Sequence, residues 1–139
     1  MNKTIITFGT FDVFHVGHLR ILERAREYGD SLIVGVSTDE LNWNKKRKTP
    51  ICDQYQRLEI VSGLRCVDVC FFEESLEKKC EYIKEYSADI LVMGDDWTGR
   101  FDSLNDICDI KYLPRTPSIS TTELVEHIVT LGKNNACTS

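Results

Sequence analysis

A chain of 139 residues is long enough to enclose one hydrophobic core and suits a single domain of ordinary size. Its 22 acidic against 17 basic side chains give a formal charge of −5, which disfavours nonspecific nucleic-acid binding. No apolar run approaches the ~20 residues a membrane-spanning helix needs, and Met1-Asn2-Lys3 leads straight into a strand pattern without a signal-peptide signature; a cytoplasmic protein engaging neither membrane nor nucleic acid is expected.

Thr4-Ile5-Ile6-Thr7-Phe8 is an apolar, β-branched run and reads as a buried strand. Gly9 to His18 then forms a strand-to-helix turn, because Leu19, Leu22, Ala25 and Tyr28 recur at helical spacing with charges between them. Gly29-Asp30 ends that helix. Ser31 to Val36 is a second buried strand, with Ser37-Thr38-Asp39-Glu40 leaving its C-terminal end. Leu41 to Pro50 carries Lys45-Lys46-Arg47-Lys48 and reads as a basic loop. Asp53 and Gln56 have capping-box spacing for a helix whose inner face is Leu58, Val61 and Leu64.

Cys66 to Phe72 is a third strand, Leu76 to Tyr86 a charged helix, and Ile90 to Met93 a fourth strand halted by Gly94 to Gly99. A short helix covers part of Phe101 to Ile107, and Ile110 to Leu113 is the fifth strand. Pro114 and Pro117 make 114–118 a loop. Ser120 or Thr121 caps a last helix with Leu124, Ile128 and Leu131 on its apolar side. Gly132 is expected to stop it, so a single domain spans 1–132 and 133–139 is a flexible tail. The six cysteines, at 52, 66, 70, 80, 108 and 137, include no C-x-x-C pair or zinc-finger spacing, and read as reduced structural thiols.

Strands alternating with helices mean a parallel sheet with helices on both faces, and ligands of such α/β sheets collect beyond the C-terminal strand ends. Four informative stretches fall there: Gly9–His18, Asp39 with the basic loop, Gly94–Trp97, and Arg115–Thr122. The first aims free backbone N–H groups and the positive end of a helix dipole at one point, where phosphate binds well. His15 and His18, three apart, lean over that point, while Gly9 and Gly17 clear side chains from it. Neither G-x-x-x-x-G-K-[ST] nor G-x-G-x-x-G occurs.

Lys45 to Lys48 would be a solvated turn in isolation; on this rim it is a clamp for polyphosphate or for a phosphorylated second substrate. Arg115 with Thr116, Ser120, Thr121 and Thr122 offers a guanidinium and hydroxyls to the outer phosphates of a nucleoside triphosphate. Apart from Asp12, no general base stands beside the histidines. A phosphate monoester needs none, since its second pKa of about 6 leaves it anionic at neutral pH. His15, His18, Lys45, Arg47, Arg115 and Mg²⁺ would stabilise the charge, which suits nucleotidyl transfer better than hydrolysis.

Gly9-Thr10-Phe11-Asp12 followed by His15-Val16-Gly17-His18 resembles the G-x-F-D-x-x-H-x-G-H signature of the cytidylyltransferases, within the nucleotidyltransferase superfamily. The resemblance runs from Ile5 to about Ile128 and includes Ser37–Glu40, Arg65–Asp68, Gly94–Trp97 and Arg115-Thr116 with Ile119-Ser120-Thr121-Thr122. Gly94 to Asp102 looks most like the glycerol-3-phosphate branch of that family.

The resemblance implies a Rossmann-like fold and a homodimer that joins CTP to glycerol 3-phosphate with Mg²⁺, giving CDP-glycerol and pyrophosphate. It also implies that Gly9, Thr10, Phe11 and Gly17 line the CTP site and that His15 and His18 contact its phosphates. Asp12 and Asp39 would order the site on the acceptor side, and a metal role for them stays open. Lys45, Lys79 and Trp97 would meet the acceptor, Arg47 the triphosphate, and Asp95 the acceptor or the cytidine. Arg115, Thr116, Ile119, Ser120, Thr121 and Thr122 would wrap the nucleotide, and Arg65 and Asp68 would build the dimer or support the site. Ser118 replaces a signature Gly, and Arg47 a Lys. Two alternatives remain on this pattern: a cytidylyl- or adenylyltransferase for another phosphorylated small alcohol or sugar, and a nucleotide-sensing module.

Overall fold

The computed structural model describes residues 2–115 and 120–136. Five strands, β1 (Thr4–Gly9), β2 (Ser31–Ser37), β3 (Val69–Glu73), β4 (Ile90–Gly94) and β5 (Asp109–Leu113), form one sheet in the order β3-β2-β1-β4-β5. Every pairing is parallel. The chain winds outward from β1 to β3, then returns to place β4 on the other side of β1. The strand order therefore reverses between β1 and β4, which opens a crevice at their C-terminal ends.

Alternation along each strand sorts the core into two layers. Ile5, Leu32, Val34, Val36, Ile90 and Val92 pack with Leu22 and Ala25 of α1 (Val16–Arg26) and Val61 of α3 (Gln54–Ser62). Ile6, Phe8, Ile33, Leu91 and Met93 pack with Ile83 of α4 (Lys79–Glu85) and with Cys108. The expected parallel sheet with helices on both faces is what forms.

Several boundaries differ from the sequence expectation, each for a local reason. β3 begins at Val69, because Asp68 brackets Leu32: its amide donates to the Leu32 carbonyl (2.9 Å) and its carboxylate accepts from the Leu32 amide (2.8 Å). The segment from Asp39 to Lys46, expected as the start of a basic loop, is helix α2. Thr38 caps it by accepting from the Leu41 amide (3.1 Å), and acidic residues at its start with Lys45 and Lys46 at its end complement the helix dipole. The stretch from Leu76 divides into a 3₁₀ turn (Leu76–Lys78) and the shorter α4, and further 3₁₀ turns cover Asp95–Trp97 and Asp102–Asp106.

The last helix, α5 (Thr121–Ala136), runs through Gly132 rather than stopping there. A glycine inside a helix costs about 1 kcal/mol relative to alanine but does not end it. Ser120 serves as its cap: its hydroxyl accepts from the Glu123 amide at 3.1 Å. Of the cysteines, Cys137 lies outside the described residues; the other five are free thiols, and burial pushes Cys70 up to about 12. Among the described residues no helix is long and apolar enough to cross a membrane.

Gly29 is not the C-terminal cap of α1, which closes at Glu27 in a right-handed conformation. A Cβ on Gly29 would stand 2.5 Å from the Lys3 carbonyl oxygen, and that backbone cannot retreat without disturbing the start of β1. Gly29→Ala is expected to cost about 1–3 kcal/mol, measured as a lower urea midpoint with an unchanged slope.

Candidate active site

The turn that joins β1 to α1 holds two residues in left-handed conformations, Phe11 (φ 55°) and Val13 (φ 47°). A β-branched residue at such a φ is strained. Asp12 between them supplies compensation. Its carboxylate accepts from the amides of Val13 (3.1 Å), Ile51 (2.8 Å) and Cys52 (2.9 Å), which binds the turn to the chain before α3. The Phe11 ring lies so close over Gly9 that a Cβ there would stand 2.8 Å from it.

His15 caps α1 with its ring. Its Nδ1 accepts from the Gly17 amide (3.0 Å), and the Nδ1 of His18 accepts from the His15 amide (3.2 Å). This is a capping box built from two imidazoles in place of Ser and Glu. Each Nδ1 is thereby an acceptor, so each neutral ring carries its proton on Nε2. The rings stack with centroids 3.9 Å apart, which sets the two Nε2–H donors side by side. Partial burial lowers the pKa of His15. Burial first, and then the charge of His15, lowers His18 to about 4 against the opposing pull of Asp12. Both rings are therefore uncharged donors at neutral pH. The amides of Gly17 and His15, expected to be free for phosphate, are taken by the rings.

These rings line a cleft of about 580 Å³ at the switch between β1 and β4. Gly9, Thr10, Phe11, Asp12 and Gly17 line it with them. So do Lys45, Lys79 and Trp97, together with Arg115, Ser120, Thr121 and Thr122. The Thr121 hydroxyl donates to the Asp12 carbonyl (2.9 Å), which brings the start of α5 to the histidine turn. Arg115 pairs with Asp96 across the rim at 3.3 Å. The Lys45 ammonium stands 6.0 Å from the Trp97 ring centroid, and burial first, then Lys46, lowers its pKa.

Three expected site residues are not among those lining the cleft. Asp39 pairs with the buried Arg57 (2.7 Å) and accepts from the Gln54 amide (3.2 Å). Arg47, left-handed beyond the end of α2, turns its guanidinium toward Trp43, 6.0 Å from the ring. Asp95 is exposed, and its neighbour Asp96 takes the place at the rim. Thr116 and Ile119, like Ser118, fall outside the described residues. Arg65 is exposed, and Asp68 supports the sheet as described above.

Asn42 and Glu73 also line the cleft and escaped the sequence pattern, whereas Lys46 and Lys48 belong to the expected basic clamp and Asp96 to the expected loop after β4. Asn42 accepts from the Thr10 hydroxyl (2.9 Å) and donates to Ser37 Oγ (2.9 Å), so Thr10 is held from behind. Arg57 is 1 % exposed and works outside the cleft. It donates to the carbonyls of Thr10 (2.9 Å), Ser37 (2.7 Å) and Cys52 (3.0 Å) as well as to Asp39, joining the ends of β1 and β2 to α3. Only its position four residues after the Asp53 cap was visible beforehand, and that spacing predicts a helix rather than a partner.

A family model described as cytidylyltransferase-like matches residues 6–127. The chain belongs to that family. It is 46 % identical over 129 residues to a glycerol-3-phosphate cytidylyltransferase of Bacillus subtilis, covering 93 % of this chain and 99 % of that protein. It is 43 % identical over 126 residues to the Staphylococcus aureus protein of the same name, covering 91 % and 95 %. Among solved structures, a lipopolysaccharide core biosynthesis protein from Thermoplasma volcanium superposes with a TM-score of 0.70 at 26 % identity, over 82 % of this chain and 96 % of that one. The cytidylyltransferase-like match spans every strand and the described start of α5.

In this cytidylyltransferase-like chain the His18 ring resonances are expected to titrate near pH 4 by NMR, and a bound triphosphate to raise that midpoint. Stability follows the same sign. Between the ordinary value of 6.5 and about 4 the unfolded chain takes up a proton that folded His18 refuses, so stability falls as pH drops through that window. His18→Asn should flatten part of the decline in thermal midpoint.

Proposed function

We propose that the chain transfers a cytidylyl group from CTP to glycerol 3-phosphate, giving CDP-glycerol and pyrophosphate. The near full-length identity to proteins of that name supports the substrates. The observation that carries the chemistry is the stacked pair of neutral imidazoles, each with its proton fixed on Nε2, in a cleft otherwise rich in cations.

An oxygen of the acceptor phosphate attacks the α-phosphorus. The bond from that phosphorus to the bridging oxygen breaks, and pyrophosphate departs with the electron pair. The acceptor is already an anion, so no side chain has to remove a proton. The two Nε2–H groups stabilise charge on the α-phosphoryl oxygens as the attack develops, at no cost in proton transfer. The positive end of the α1 dipole adds to this. Lys45 and Lys79 hold the acceptor phosphate, and Lys46, Lys48 and Arg115 neutralise the outer phosphates. Holding two anions in line is itself a large part of the barrier reduction.

The described residues include no group of three or more His, Cys, Asp and Glu side chains suited to a metal ion. Asp12 is saturated by amides, while Glu73 and Asp96 face cations. Mg²⁺, the expected cofactor, would be held chiefly by the triphosphate oxygens and would supply charge neutralisation there, a manner of binding this ion favours. A homodimer is part of the same proposal. The exposed side chains of Tyr55 and Ile60 on α3 and Val69 on the edge strand β3 offer apolar surface for it.

Purified protein given CTP, Mg²⁺ and glycerol 3-phosphate should release pyrophosphate, and His18→Ala should lower kcat/KM by roughly 10²–10³. No release with glycerol 3-phosphate or any other small polyol phosphate would overturn the proposal.

A further inference from the structure

The floor of the cleft contains a buried ion pair between the end of β3 and the start of α4. Glu73 ends β3 and Lys79 begins α4, and their side chains are 2 % and 3 % exposed. Lys79 donates to Glu73 Oε2, and both residues line the cleft. The Lys79 ammonium lies 4.4 Å from the Phe8 ring centroid and 5.3 Å from that of Phe101, so β1 and the segment before Asp102 present aromatic faces to it. Among the described residues, the charged groups bearing on this floor are Glu73 from β3 and Lys45 from α2. A buried pair of this kind is often no better for stability than well-packed apolar residues. Its position in the cleft supplies the reason for its presence.

We infer that Glu73 is a positioning residue for the acceptor: it holds the Lys79 ammonium in place, and charged, beside Lys45, so that a dianionic phosphate monoester docks on the two. This rests on the reaction proposed above and adds the residue that sets its acceptor subsite. An ammonium has three donors; Glu73 engages one and leaves others for phosphate oxygens. Burial pushes the Lys79 pKa down, and the neighbouring carboxylate opposes that. Burial, and then Lys46, also lower Lys45, against the pull of Glu73. Without the carboxylate, the two desolvated ammonium groups repel one another uncompensated, and deprotonation of one relieves the repulsion. The histidine turn works with neutral donors and does not depend on this charge.

The test is steady-state kinetics of Glu73→Gln at pH 7 and pH 9, a range in which the acceptor stays dianionic because its second pKa is about 6. Wild type supplies the reference KM for glycerol 3-phosphate at each pH. In Glu73→Gln that KM should rise by roughly tenfold or more at pH 9 and by clearly less at pH 7, with the KM for CTP within about twofold of wild type. A double variant, Glu73→Gln with Lys79→Gln, carries no orphaned charge and keeps the fold accessible if the single variant misfolds. Its acceptor KM should be raised equally at both pH values. An acceptor KM matching wild type in either folded variant, or a rise in the single variant that is the same at both pH values, overturns the inference and leaves the reaction standing. Failure of wild type to use glycerol 3-phosphate overturns both.

Discussion

Two imidazoles that cap a helix through each other's backbone are the constraint on which the site depends. Ordinary caps use a hydroxyl or carboxylate. Here each Nδ1 accepts a main-chain hydrogen bond, and that one geometric fact sets the tautomer and the ring stacking together, while burial keeps the rings uncharged. The strained turn ahead of it, with Phe11 and Val13 left-handed, is what delivers His15 to the cap. Asp12 pays for the strain with three amide bonds rather than by touching the reacting groups.

The cleft divides its electrostatic work. The histidine rings present donors without charge, and the lysines and Arg115 present charged ones. A triphosphate and a second phosphate can then share the space, since cations hold each anion while neutral rings meet the phosphorus where charge develops. A general base is missing from this arrangement for a chemical reason: the nucleophile arrives ionised.

Much of this was legible in the chain. Local patterns sufficed for the five strands, for the loops on one rim and for His15 and His18, because period and motif are properties of neighbouring residues. The helix α2 was hidden by a run of Asn, Trp and Lys with little apolar period; its cap at Thr38 and its charge order were the available clues. Asp39 and Arg57 stand 18 residues apart, and Glu73 and Lys79 join two separate elements. Nothing in a linear sequence says that two charges will be buried against each other. Asp39 therefore looked like a ligand residue, and Glu73, just past the expected third strand, drew no reading. The identities of Arg47 and Asp96 as outward and inward neighbours depended on a single left-handed residue and a single 3₁₀ turn.

Arg57 carries an implication for the cleft. One guanidinium fastens the tips of the two central strands and the chain before α3, so the nucleotide pocket has no independent foundation. The wall of the cleft built on Thr10 and Ser37 is therefore anchored in the sheet itself.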